Sequence, residues 1–160
     1  MSPRVEAKRI LVVDDDAGVR EVLRVLLRTD GHSVVEAANG REACLIYAPG
    51  DFDLIITDYS MPEMNGSEMA RAIKGLVPNQ RILMLTAYTG EVYSQDNPVD
   101  GVLEKPFAIN ALRQMIALLL LRSSGPLLIS TSWTRSAAPS RTSQRTCRKA
   151  VPISPTICAY

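Results

Sequence analysis

Five short strand-like runs, each followed by a helix-like segment or a turn into one, constrain this chain more than any other feature. The first, Ile10-Leu11-Val12-Val13, is continuously apolar and rich in β-branched residues, and it ends in Asp14-Asp15-Asp16. Ser33 to Ala37 is the second. Leu54-Ile55-Ile56-Thr57 ends at Asp58, Arg81 to Leu85 at Thr86, and Gly101 to Glu104 at Lys105-Pro106. Unbroken apolar runs of this length suit strands buried on both faces, as in a parallel sheet.

The intervening segments carry helical spacing. Val19, Val22, Leu23 and Leu26 recur at i, i+3, i+4, i+7, behind Asp16 as a cap and ahead of an Asp30-Gly31 stop. Asn39-Gly40 turns the chain into a weaker helix holding Ala43, Cys44 and Tyr47. Ser67 to Leu76 places Met69, Ile73 and Leu76 on one face, and Pro78 ends it. Residues 90–95 read as a short fourth helix and Phe107 to Arg122 as a fifth. This alternation predicts an α/β fold: a doubly wound, five-stranded parallel sheet with helices on both faces.

In such sheets ligands bind beyond the carboxyl ends of the strands. Asp14, Asp15, Asp16, Asp58, Thr86 and Lys105 all fall there. Gathered carboxylates repel, and burial makes the repulsion worse. A hard dication relieves it, and Mg²⁺ takes one or two carboxylates together with waters and phosphate oxygens. Lys105 would meet the remaining phosphate charge, and the Thr86 hydroxyl would donate to a phosphoryl oxygen. The set therefore suits a metal and a phosphoryl group held together. Asp16 reads as the helix cap and not as a ligand. Met61 and Pro62 read as a packed turn, His32 as a solvated loop residue, and Cys44 as half-buried helix packing.

Composition sets the limits. The 160 residues hold 18 basic and 17 acidic side chains, for a net charge of +1. That balance hides two unlike parts. Residues 1–122 carry 13 basic and 17 acidic residues, whereas residues 123–160 carry 5 basic residues and no acid. At the chain-wide rate the latter stretch would hold about four acids; it has thirteen Ser or Thr and four Pro instead. The composition predicts one domain over 1–122 and a disordered or weakly ordered basic tail over 123–160. The tail's five charges are interleaved with little aromatic surface beyond Trp133, which argues against nucleic-acid binding. Cys44, Cys147 and Cys158 form no C-x-x-C pair, and His32 is the only histidine, so a thiolate zinc site, a Cys–His nucleophile and a disulfide framework are all disfavoured. Residues 1–9 lack an apolar leader core, and Met115 to Leu121 is too short to span a bilayer, which takes about 20 residues. The expectation is a cytoplasmic protein with no membrane partner.

The runs Ile10 to Asp16, Asp53 to Gly66, Leu85-Thr86-Ala87 and Leu103 to Phe107 together closely resemble the receiver domains of two-component response regulators. The resemblance covers residues 8 to about 122. It implies a flavodoxin-like strand order of 2-1-3-4-5. It also implies that Asp58 accepts a phosphoryl group from a sensor histidine kinase or phosphotransfer protein. Asp15 and Asp58 would ligate Mg²⁺ directly, the Ser60 backbone carbonyl would be a third protein ligand, and Asp14 would act mostly through water. Thr86 would swing towards the phosphoryl group and Lys105 would pair with its oxygens, next to a cis Lys105–Pro106 bond. Phosphorylation would then bias a surface formed by the fourth helix, the fifth strand and the fifth helix, used for a downstream protein or a homodimer.

One departure stands out. Val102 occupies a position where the family often carries an aromatic residue that turns inward on activation. On this reading the chain is a signalling module and not an enzyme. The alternatives are a non-phosphorylated pseudo-receiver, or a truncated response regulator that has lost a DNA-binding output domain.

Overall fold

A computed structural model describes residues 6–87 and 97–121. All of them lie in the unit Met1–Gly125; the unit Pro126–Tyr160 falls outside them, as do the helix expected at 90–95 and the tail expected from 123.

The strands are β1 (Arg9–Val13), β2 (Ser33–Ala37), β3 (Leu54–Asp58), β4 (Ile82–Thr86) and β5 (Gly101–Glu104). They form one sheet in the order β2-β1-β3-β4-β5, with every pairing parallel. The doubly wound α/β expectation and its strand order are both met. The helices are α1 (Ala17–Thr29), α2 (Gly40–Ile46), α3 (Gly66–Leu76) and α4 (Ile109–Leu121). The helix expected from Phe107 therefore starts two residues later.

The apolar runs of β1, β3 and β4 are unbroken because each of these strands feeds two cores. Successive side chains of a strand point to opposite faces. Ile10, Val12, Leu54, Ile56, Leu83 and Leu85 pack with Leu23 and Leu27 of α1 and with Leu112, Ile116 and Leu119 of α4. Leu11, Val13, Ile55 and Ile82 pack on the other side with Ala43 of α2 and with Met69, Ala70 and Ile73 of α3. Each fully buried Leu or Ile contributes roughly 1.5–3 kcal/mol by leaving water.

Local signals set the helix ends. The Asp16 carboxylate accepts from the amides of Gly18 and Val19 and caps α1. Asn39 caps α2 and Asn65 caps α3, the latter in a reciprocal box with Glu68. Gly31, at φ +92°, lets the chain leave α1.

Two helix faces differ from expectation. Val22 is 65% exposed, and Leu27 takes the core position expected of it. Leu76 is 70% exposed at the last turn of α3, where the core side is filled by Ala70 and Ile73.

His32 is also not the solvated residue expected. It is buried, and its Nδ1 accepts from the Lys8 amide at 3.3 Å. Burial pushes its pKa below the ordinary 6.5, and Lys8 adds to this; Asp30 and Asp53 pull the other way without reversing it. The unfolded chain therefore takes up a proton near pH 6.5 that the folded chain resists, so stability falls as pH drops below that value. His32→Asn keeps an acceptor but does not titrate. Between pH 7.5 and 5.5 the wild-type urea midpoint should fall further than the variant's. Equal falls would show that His32 titrates alike in both states.

Candidate functional site at the carboxyl edge of the sheet

Parallel pairing brings the ends of β1, β3, β4 and β5 to one edge. Asp14 follows β1, Asp58 ends β3, Thr86 ends β4, and Lys105 follows β5. The Lys105 ammonium stands 2.8 Å from Asp58 Oδ1 and 3.4 Å from Asp14 Oδ2. Residues 47 and 91 positions apart in sequence are thereby joined to one cation.

Each carboxylate has a second support. Asp14 Oδ1 accepts from the Asp16 amide at 2.9 Å, and Asp58 Oδ2 accepts from the Ser60 amide at 3.2 Å. The Lys105 amide donates to the Thr86 carbonyl at 2.7 Å, which ties the carboxyl ends of β4 and β5 together. The Lys105–Pro106 bond is cis, as expected.

Burial decides the electrostatics. Asp14 is 2% exposed, and desolvation raises its pKa, outweighing the Asp16 amide and the charge of Lys105. For Lys105, burial works downward, but the hydrogen bond to Asp58 and the charges of Asp14 and Asp58 outweigh it, and the net direction is upward. The lysine therefore stays charged, and at neutral pH it is what holds two acids side by side.

The loop from Asp58 to α3 is drawn tight beneath the site. The Tyr59 amide donates to the Leu85 carbonyl, and the Gly66 amide to the Tyr59 carbonyl at 2.9 Å. Met61 is buried against the α2–α3 core, as its reading as packing implied. Glu63 takes a positive φ of 67° between Pro62 and Met64, whose carbonyl and amide hydrogen-bond across it at 2.8 Å. A Cβ on Gly66 would fall 2.2 Å from the Asp58 carbonyl oxygen, so only glycine fits there.

Of the expected site residues, Asp14, Asp58 and Lys105 converge. Thr86 is fully buried at the end of β4, opposite Glu104. Asp15 is exposed beside Asp14, and Ser60 reaches Asp58 through its amide. Among the described residues no three His, Cys, Asp or Glu side chains close on one metal-sized space. The donors present are nonetheless hard oxygens. Mg²⁺ keeps several waters and needs no all-protein cage, so the set fits it. Asp16 is spent on capping α1.

Several supports were not foreseen. Arg20 donates from Nη1 to the Asp14 carbonyl at 2.6 Å. At the opposite edge, Asp53 brackets Arg9 and Asp100 brackets Ile82. Each uses its amide and carboxylate to pair the neighbouring strand's first backbone groups at 2.8–2.9 Å. The one visible hint was an Asp immediately before Leu54 and another before Gly101.

Comparison with known proteins identifies the family to which this fold belongs. A family model described as the response regulator receiver domain matches residues 10–117. Response regulator MprA of Mycolicibacterium vanbaalenii is 40% identical over 119 residues, covering 72% of this chain and 52% of the relative. MprA of Mycobacterium tuberculosis H37Rv is also 40% identical, over 118 residues, covering 72% and 51%. The chain thus spans about half the length of the curated relatives it matches. Among solved structures, response regulator TrrA of Thermotoga maritima, in complex with Mg(2+)-BeF, superposes with a TM-score of 0.66 at 36% identity. That match covers 71% of this chain and 99% of that one. Chemotaxis response regulator CheY4 of Vibrio cholerae matches with a TM-score of 0.65 at 33% identity, covering 71% and 99%. Among the described residues no helix is long and apolar enough to cross a membrane. The chain belongs to the response regulator receiver domain family of two-component signalling.

Proposed function

We propose that Asp58 is the phosphoacceptor of this receiver domain and that the reaction uses Mg²⁺. The observation that carries the reading is the single cation, Lys105, bridging Asp58 and the buried Asp14 at the carboxyl edge of the sheet. A carboxylate oxygen of Asp58 attacks the phosphorus of a phosphohistidine or a small acyl phosphate, and the bond from phosphorus to the donor breaks. Asp15, Asp58 and the Ser60 carbonyl would hold the Mg²⁺, with Asp14 acting through water. The ion supplies charge neutralisation between the acids and the incoming phosphoryl oxygens. Lys105 pairs with those oxygens, and the Thr86 hydroxyl donates to one of them.

The donor is a sensor histidine kinase or a phosphotransfer protein. An apolar groove rimmed by Asp16, Val19, Val22, Leu26, Phe107 and Ile109 opens beside the acids and offers a protein donor surface to pack on. The exposure of Val22 is thereby accounted for: it faces this groove. Output runs through β5, α4 and the helix expected at 90–95. Because the Lys105 amide is bonded to the Thr86 carbonyl, a shift of either residue is felt by the other. Leu118 and Leu121 stand exposed on α4 as contact surface for a downstream protein or a second copy.

Mass spectrometry tests the reading. After incubation with Mg²⁺ and acetyl phosphate, the wild-type chain should carry one phosphoryl group and Asp58→Asn none. Chelation of Mg²⁺ should abolish the adduct. An adduct that survives Asp58→Asn would place the acceptor elsewhere. A wild-type chain that stays unmodified with both acetyl phosphate and a phosphorylated kinase would make it a pseudo-receiver.

A further inference from the structure

Arg20 is the fourth residue of α1 and is half-buried. It makes two contacts with the loop that carries the acids. Its amide donates to the Asp16 carbonyl at 3.1 Å, and its Nη1 donates to the Asp14 carbonyl at 2.6 Å. The Asp14 carbonyl belongs to the same planar peptide as the Asp15 amide. Holding that oxygen therefore fixes the plane from which Asp15 departs. Two further bonds complete the bracket: the Asp16 amide on Asp14 Oδ1, and the Asp16 carboxylate on the first amides of α1. Among the described residues, only the guanidinium contact ties a side chain of the α1 body to the Asp14–Asp15 peptide.

We propose that Arg20 is a positioning residue for the divalent-cation site, fixing the Asp14–Asp15 peptide so that both carboxylates face the same ion. The inference rests on the Mg²⁺ reading above. It has a sign that charge alone would reverse. A guanidinium near a cation site repels the ion, so losing it should tighten binding if charge were all that mattered. If positioning dominates, losing it weakens binding, as loss of an outer-shell hydrogen bond generally does.

The test is Mg²⁺ titration of the full chain by calorimetry, with no phosphodonor present. Arg20→Met should raise the Kd about tenfold, and Arg20→Lys, which can still donate to the carbonyl, should restore most of the affinity. The Asp16 amide resonance, which reports the bond to Asp14 Oδ1, should move in Arg20→Met and return in Arg20→Lys. The urea midpoint in Mg²⁺-free buffer should stay close to wild type. Unchanged or tighter binding in Arg20→Met overturns the proposal. So does a loss of affinity that tracks a lower midpoint and is not repaired by lysine. A wild-type chain that binds no Mg²⁺ would instead remove the cation reading on which the inference stands.

Discussion

Replacing Gly66 with alanine should cost about 2–4 kcal/mol of stability, lowering the melting temperature by roughly 10 °C. The added Cβ would lie 2.2 Å from the Asp58 carbonyl oxygen and 3.2 Å from both the Asp58 carbonyl carbon and Thr57 Oγ1. Backbone cannot step aside as a flexible side chain can. The Gly66 amide is itself bonded to the Tyr59 carbonyl, so the clash cannot be relieved by moving α3 without opening the loop. Relief must come from β3, which means moving Asp58. The same variant should therefore slow phosphorylation by acetyl phosphate more than its stability loss at the assay temperature explains. Gly75→Ala is the control. It lies on the same helix with nothing within 4 Å of the added carbon, and it should gain up to about 1 kcal/mol from helix propensity. Thermal melts of the two variants should thus move in opposite directions. A Gly66→Ala chain as stable as wild type would mean that the loop has slack which its hydrogen bonds do not suggest.

The carboxyl-edge cluster was legible because a parallel sheet converts sequence position into spatial position. Once Val13, Asp58, Thr86 and Glu104 are strand ends, the residues at or just after them must share one edge, whatever the details of packing. Asp16 as a cap and the Asp30-Gly31 stop were legible for a similar reason, since each depends on its own neighbours in the chain. Val22, Leu76 and His32 were not. Helical spacing says that a face is apolar but not which of its edges the sheet covers. Leu27 reaches the core and Val22 the groove because of where α4 lies, nearly ninety residues later in the chain. His32 is buried and bonded to the Lys8 backbone amide, a contact with no sequence pattern. Arg20, Asp53 and Asp100 share that limitation. Each bonds to main-chain atoms, which every residue carries, so no residue type at the other end betrays the contact.

Replacing Lys105 with methionine should destabilise the Mg²⁺-free protein at pH 7 by about 2 kcal/mol. Removing one partner of a buried ion pair costs roughly 3–5 kcal/mol because a charge is left unpaired. Here the lysine side chain is 27% exposed while Asp58 and Asp14 are 12% and 3% exposed, so solvent recovers part of that cost. Two recoveries should follow. Adding Mg²⁺ supplies the missing positive charge and should stabilise the variant more than the wild type. The gain approaches about 2.7 kcal/mol when the ion is present at one hundred times its Kd. Lowering the pH should also help. Burial already raises the Asp14 pKa, and losing the ammonium pushes it further in the same direction. The folded variant then holds a proton more tightly than the unfolded chain does, so acidification should narrow the stability gap between variant and wild type. That contribution is opposite in sign to the one His32 imposes, and comparison with wild type isolates it. Urea midpoints at pH 7 and pH 5, each with and without Mg²⁺, give all four quantities. A Lys105→Met chain that matches wild type at pH 7 without Mg²⁺ would show that water, and not Lys105, keeps Asp14 and Asp58 together.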